Sequence, residues 1–315
     1  MDVNYLLRAY EAGERNFAGV DLRGADLSGV TLIAVDLSDA NLMGANLSRA
    51  FLTQANLSGA FLNWADLRYV KLSEGCLTHV DLTKANLSGA FMVKSDFNRA
   101  KLSGANLNGA NLRGSHLQHA NLCGANLNAI NLRGADLTGA NLNWANLSGA
   151  RLSGATLRGS FLNGVKLKDA FLNGVDLNGI NLDGVDLRST KLSGATLHGA
   201  NLAATNFSDA KMHGGSFTGA NLSGANLSRA FLKRANLNWA NLTRADLTDA
   251  DLTEANLLGA RIEGAEFTGV TLSDPTRRYL RLIATGVTPW SQQPTRSTLE
   301  SERASSLAPS LAHSR

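Results

Sequence analysis

Residues 219–237 read GANLSGANLSRAFLKRANL, and Leu222, Leu227, Leu232 and Leu237 fall five residues apart. Stepping by five from Phe17 to Leu272 visits 52 positions: 44 Leu, 5 Phe, 2 Met and Ile262. None is polar. Two residues before each lies a small side chain, Ala at 33 of the positions and Val at 9, with Ile130, Ile180 and Arg15 the exceptions in size. The residue just before the Leu is mostly Asn or Asp, and the residue two after it is often Gly. Phe231 breaks that habit.

A period of five fits neither an α-helix nor a long alternating strand. Within a unit, however, the small residue and the Leu are two apart. They point the same way from an extended segment, and the Asn or Asp between them points out. A turn must follow, because the next inward pair comes three residues later, and Gly, Asn, Asp and Ser supply the turn chemistry. Repetition makes a coil with one inward Leu per side, its backbone paired with the coils above and below at about 4.8 Å. Pro275, Pro289, Pro294 and Pro309 all lie outside the repeat, as a fully paired backbone requires. One unit cannot hold itself. Burying a Leu contributes roughly 1.5–3 kcal/mol, whereas fixing five backbones costs roughly 5–10 kcal/mol. Only stacking makes the sum favourable.

The pattern A-[D/N]-L-x-G, as in Ala25-Asp26-Leu27-Ser28-Gly29 and Ala220-Asn221-Leu222-Ser223-Gly224, resembles the pentapeptide-repeat family over residues 16–272. The resemblance implies an all-β fold: a right-handed quadrilateral β-helix with four units per coil. The 52 units then make about 13 coils and a rod on the order of 60 Å long. The opening VNYLLRAYEAGERNF resembles the N-terminal cap of cyanobacterial members. Residues 1–15 are expected to form a helical cap, with Asp2 at its start, Val3, Leu6, Leu7 and Tyr10 on one stripe and Gly13 as its stop. A second capping helix is expected over 273–286, opened by Asp274-Pro275, with Tyr279, Leu280 and Ile283 facing the last coil. In some relatives such a helix makes a dimer, so the chain is expected to be a monomer or a dimer through this cap. Residues 287–315, rich in Ser, Pro and Gln, are expected to be disordered, and deletion of residues 290–315 is expected to leave the fold intact.

The composition narrows the function. The chain has 315 residues, a formal net charge of +4 and 6% aromatic residues. That excess is too small to announce a nucleic-acid binder. No apolar run approaches a membrane span, and the N-terminus lacks the basic start of a signal peptide, so a cytoplasmic protein without membrane contact is expected. Cys76 and Cys123 fall more than two coils apart, beyond disulfide reach. His79 and His119 share a column two coils apart, too far to share a metal. Asp246, Asp249, Asp251 and Glu254 read as a solvated acidic patch. No phosphate loop, metal-spaced Cys/His set or nucleophile elbow appears, so no catalytic, cofactor or metal residue is expected, and no enzyme.

Sorting residues in steps of twenty separates four sides. Side one holds Leu32, Leu52 and Leu72; side two Phe17 and Leu37; side three Leu22 and Leu42; side four Leu27 and Leu47. Side one carries Lys71, Lys94, Arg113, Arg133, Arg151, Lys191, Lys211, Lys233 and Arg234 against Glu74, Asp251 and Glu254. It also holds Phe51, Phe91, Phe171 and Phe231 at the place before the Leu, four of the six Phe residues there; Phe61 and Phe161 share side three. Exposed aromatics among Arg and Lys match interface composition; shielding of adjacent backbone is the simpler account. Side one therefore carries the candidate partner-binding residues, and the expected function is a rigid scaffold for a protein partner. Two alternatives stand below it. Some relatives mimic DNA and bind a type II topoisomerase through strong negative charge, which this chain lacks. Weak nucleic-acid binding by the basic side is the other.

Overall fold

In the computed structural model, which describes residues 1–300, helix α1 (Val3–Glu11) leads into an unbroken succession of turns. Each unit contributes one isolated bridge and one two-residue turn. The bridges join residues twenty apart, always in parallel: Asn16 with Asp36, Asp21 with Asn41, Asp26 with Asn46, Thr31 with Phe51, and so on to Asp251 with Thr271. Twenty residues therefore make a coil of four units, and the bridges make four ladders along the rod.

The turn explains the period. The Leu carbonyl accepts the N–H three residues on, as Leu22 O does from Ala25 N at 3.1 Å, and the residue two after the Leu has positive φ. Gly adopts that φ at no steric cost. Glycine is nevertheless absent from many of these corners, and Trp64, Tyr69, Trp144 and Trp239 hold φ of 57°, 57°, 62° and 60°. The coil geometry imposes the angle whatever the residue.

Every side chain at the Leu position from Phe17 to Phe267 is buried, and the small residues two before them fill the space between. Leu272 is partly buried against the same core. Polar residues at the small position are satisfied: Ser95 Oγ donates to Leu72 O and Ser115 Oγ to Met92 O, each at 2.7 Å.

Both rod ends are covered. Asp2 accepts from Tyr5 N at 3.1 Å, Leu6 is buried in the core, and Arg15, too large to turn inward, lies over the Tyr10 ring at 3.9 Å. Helix α2 (Asp274–Ile283) is capped by Ser273, whose side chain accepts from Thr276 N; Asp274 is already helical. Leu280 is buried in the core, Tyr279 and Ile283 pack against it, and Tyr279 Oη accepts from Gly259 N at 3.1 Å. The buried face of α2 thus serves its own rod, and Leu282 is the exposed apolar residue of that helix.

The expectation of disorder from residue 287 is corrected for residues 287–300. Val287 and Pro294 form an antiparallel bridge, and helix α3 (Thr295–Thr298) follows. Thr288, Thr295, Thr298 and Leu299 are buried, Thr298 Oγ1 accepts from Phe267 N at 3.1 Å, and Trp290 Nε1 donates to Arg244 O at 2.9 Å. The polar composition misled because Thr285 O and Thr298 Oγ1 here accept from Gly264 N and Phe267 N, part of a backbone edge that the last coil leaves open. Residues 301–315 of the expected tail lie outside the described residues.

Candidate functional site

The place before the Leu is where side one departs from the rest of the rod. Asn or Asp at this place has a local task. Its side-chain oxygen accepts the backbone N–H two residues on: Asn111 from Arg113 N at 3.2 Å, Asp26 from Ser28 N at 3.0 Å. The Asn amide then donates to the Asn one coil earlier, as Asn131 Nδ2 does to Asn111 Oδ1 at 3.1 Å. Phe, Lys and Arg carry no oxygen and cannot accept that bond. Each forgoes about 1 kcal/mol of local hydrogen bonding.

The ladder places these departures on adjacent rungs. Phe51 bridges to Lys71 and Lys71 to Phe91; Arg151 bridges to Phe171, Phe171 to Lys191, Lys191 to Lys211 and Lys211 to Phe231. Lys71 Nζ lies 4.9 Å from the Phe91 ring centre and Lys191 Nζ 3.8 Å from that of Phe171, within cation–π range. The His213 ring lies 6.0 Å from that of Phe231. Phe51, Phe91 and Phe231 stay 47%, 44% and 41% exposed, while Phe171 is half-buried.

The cations divide into two groups. Lys233 and Arg234 face Glu254 at 3.8 and 2.6 Å, and the Arg234 guanidinium holds that carboxyl below its ordinary range. Lys94, Arg113, Arg133, Arg151 and Lys211 are exposed, and no ion pair engages them among the described residues. Free charge on side one is thus concentrated in the middle of the rod.

Tyr69 escaped the sorting by sides. It stands at the corner of side four, two residues after Leu67, yet with Arg49, Phe51 and Lys71 it lines a shallow depression of about 560 Å³. Corner residues belong to two sides at once, and a twenty-residue sort hides that. A second depression, of about 660 Å³, adjoins Phe231. The exposed tryptophans Trp64, Trp144 and Trp239 lie at corners elsewhere and gather into no common surface. Tyr69, Trp144 and Trp239 each lie over the glycine one coil on, where a Cβ at Gly89, Gly164 or Gly259 would meet the ring at 2.5, 2.2 or 2.3 Å.

Among the described residues no cluster of His, Cys, Asp or Glu could hold a metal ion, and no helix is long and apolar enough to cross a membrane. Cys76 and Cys123 are free thiols.

Comparison with known proteins agrees with the geometry. A family model described as pentapeptide repeats matches in eight copies, from residues 16–49 to residues 235–274. The crystal structure of HetL, a pentapeptide repeat protein involved in heterocyst differentiation regulation in the cyanobacterium Nostoc sp. strain PCC 7120, is 30% identical over 87% of this chain and 98% of that one, with a TM-score of 0.26. A pentapeptide repeat protein of the Arabidopsis thaliana thylakoid lumen is 36% identical over 41% of this chain and 90% of its own, with a TM-score of 0.33. QnrB1, a plasmid-mediated fluoroquinolone resistance protein, is 16% identical over 80% of this chain and 93% of its own, with a TM-score of 0.24. No curated protein matches.

Proposed function

From the premise that this chain belongs to the pentapeptide-repeat family, and that membership implies a right-handed quadrilateral β-helix, we propose that it is a non-enzymatic scaffold. On this reading a cytoplasmic rod of about thirteen coils, closed by helices at both ends, presents side one to a protein partner. The observation that carries it is the run of Phe, Lys and Arg at rungs where Asn or Asp would close a local hydrogen bond. Local stability disfavours these residues, so a role outside the fold accounts for them. The anchors are Phe51, Lys71, Phe91, Arg151, Phe171, Lys191, Lys211 and Phe231, flanked by Arg113 and Arg133; Lys233 and Arg234 are already paired with Glu254. DNA mimicry calls for an acidic surface, which side one is not.

The test compares capture of partners by wild type with capture by Phe91→Ser/Phe171→Ser/Lys191→Glu. Interface energy concentrates in few aromatic and basic anchors, so the triple variant loses the partner. A control on side two, Asp96→Asn/Asp136→Asn/Asp176→Asn, keeps the turn bonds and keeps the partner. Loss in the control alone refutes the assignment of side one. Retention in both places the binding surface elsewhere. Capture of nucleic acid in place of protein, with steep salt dependence, supports the charge-driven alternative.

A further inference from the structure

Two rungs are missing from the ladders among the described residues. On side two Thr156 does not bridge to Asp176, and on side three Phe161 does not bridge to Asn181, although both ladders resume at once in either direction. The backbone bonds fail with them. Leu157, Gly159, Leu162, Gly164, Asp176 and Asn181 donate nothing across this gap, whereas Leu137, Leu142, Leu177 and Leu182 donate to the next coil at 2.7–2.8 Å. Sides one and four keep their bridges, although the corner amide of Gly154 donates nothing to the next coil. Arg151 bridges to Phe171 with Phe171 N donating to Ala150 O at 2.9 Å, and Lys166 bridges to Asp186, where the Leu167 N to Asp186 O bond has stretched to 3.3 Å and Asp186 N makes no backbone bond to Val165. The gap is therefore a wedge, closed at the rung of side one, strained on side four and open along the other two sides. Thr156, Arg158, Phe161, Asp176 and Asn178 line it, around a cleft of about 610 Å³.

Its cause is in the core. The small position carries Val175, Ile180 and Val185 in one coil, with Val165 below Val185. An isolated large residue is absorbed: Val70 and Ile130 leave their rungs intact. Val20, Val30 and Val35 share a coil whose rungs are intact; the coil at 175–185 differs in holding the larger Ile180 and in stacking Val185 on Val165, and overfilled interiors relieve themselves by backbone shifts. Ile180 and Ser160 are only half-buried, where the same column is otherwise lined by buried Ala140 and Ala200.

We propose that the rod articulates here: two rigid halves, residues 16–166 and 171–271, swing about the hinge formed by sides one and four. The hinge line passes through Arg151 and Phe171, so motion spreads or closes sides two and three and leaves the rung spacing of side one unchanged. A rod meeting a partner along side one can thereby adjust its curvature without losing register.

Amide hydrogen exchange on the full chain tests this. The six amides named above exchange faster than Leu137, Leu142, Leu197 and Leu202 by about tenfold or more, as expected of a region that opens locally. Equal protection at both sets overturns the proposal. A Thr156→Cys/Asp176→Cys pair, in a Cys76→Ser/Cys123→Ser background, distinguishes motion from a fixed gap. Both substituted residues are exposed, so the core is untouched. If the halves swing, the closed state brings these positions to rung spacing, within disulfide reach. Oxidation then crosslinks the pair and restores protection at Leu157 and Leu162. Failure to crosslink under oxidation shows a static defect and overturns the hinge.

Discussion

At the residue scale, the corner of each unit sets the tolerance of the whole. Gly164 has a φ of +63° and lies beneath the Trp144 ring, with room for no further atom. Gly164→Ala is expected to destabilise the rod by about 1–2 kcal/mol from the left-handed backbone alone, and by more through the ring. In a Trp144→Ala background the ring contribution vanishes and only the backbone cost remains. Chemical denaturation of the two singles and the double measures the difference; an unchanged cost in both backgrounds contradicts the stacking. The glycines at these corners are legible in the sequence as turn signals. That a Trp or Tyr can take the same φ and roof over the next coil's glycine is not, because the pairing lies twenty residues apart.

At the scale of the element, the ladders and caps do the holding. Asp209 accepts from Arg229, one coil on, through two bonds of 2.8 Å, and the guanidinium lowers the Asp209 pKa. A depressed carboxyl pKa means that the stabilisation is present above the ordinary value and is lost as pH falls through the folded one. Thermal stability is therefore expected to be level from pH 7 to 5 and to fall below about pH 4. Arg229→Gln should flatten part of that fall, though only slightly because the pair is exposed. An acid profile identical to wild type would show the pair contributes nothing. At the C-terminal end, truncation after Ala284 removes buried Thr288, Thr295 and Leu299 and bares the last coil. It is expected to lower the melting temperature and promote association of rod ends, which light scattering reads. Ser273→Ala, which deletes the α2 cap, should cost about 1 kcal/mol.

At the scale of the whole molecule, stability is a near sum of nearest-neighbour terms along one dimension. Leu142→Asp, in the middle of that line, places a carboxylate among fully buried leucines with nothing to pair it. The rod is expected to unfold or aggregate, with loss of its β signature in circular dichroism; an unchanged melting temperature would mean that the register is wrong.

What the sequence determined by itself is the register. A strict period of five, with a small residue two before each Leu, already states which side chain points in and where the chain turns; that Phe51, Lys71, Phe91, Arg151 and Phe171 line up needs the four units per coil that the family resemblance implies. A solenoid is nearly one-dimensional, so contacts twenty residues apart follow from counting once four units make a coil. Tertiary structure alone decided three things. Residues 287–300 close the end because an open coil offers unpaired backbone, a demand invisible in their composition. Tyr69 joins side one across a corner because the coil is a solid body and not four separate lists. The seam between Thr156 and Asp176 opens where Val175, Ile180 and Val185 share a coil and Val185 stacks on Val165. Each fits the pattern when read alone, and only their shared volume exceeds the space between two rungs.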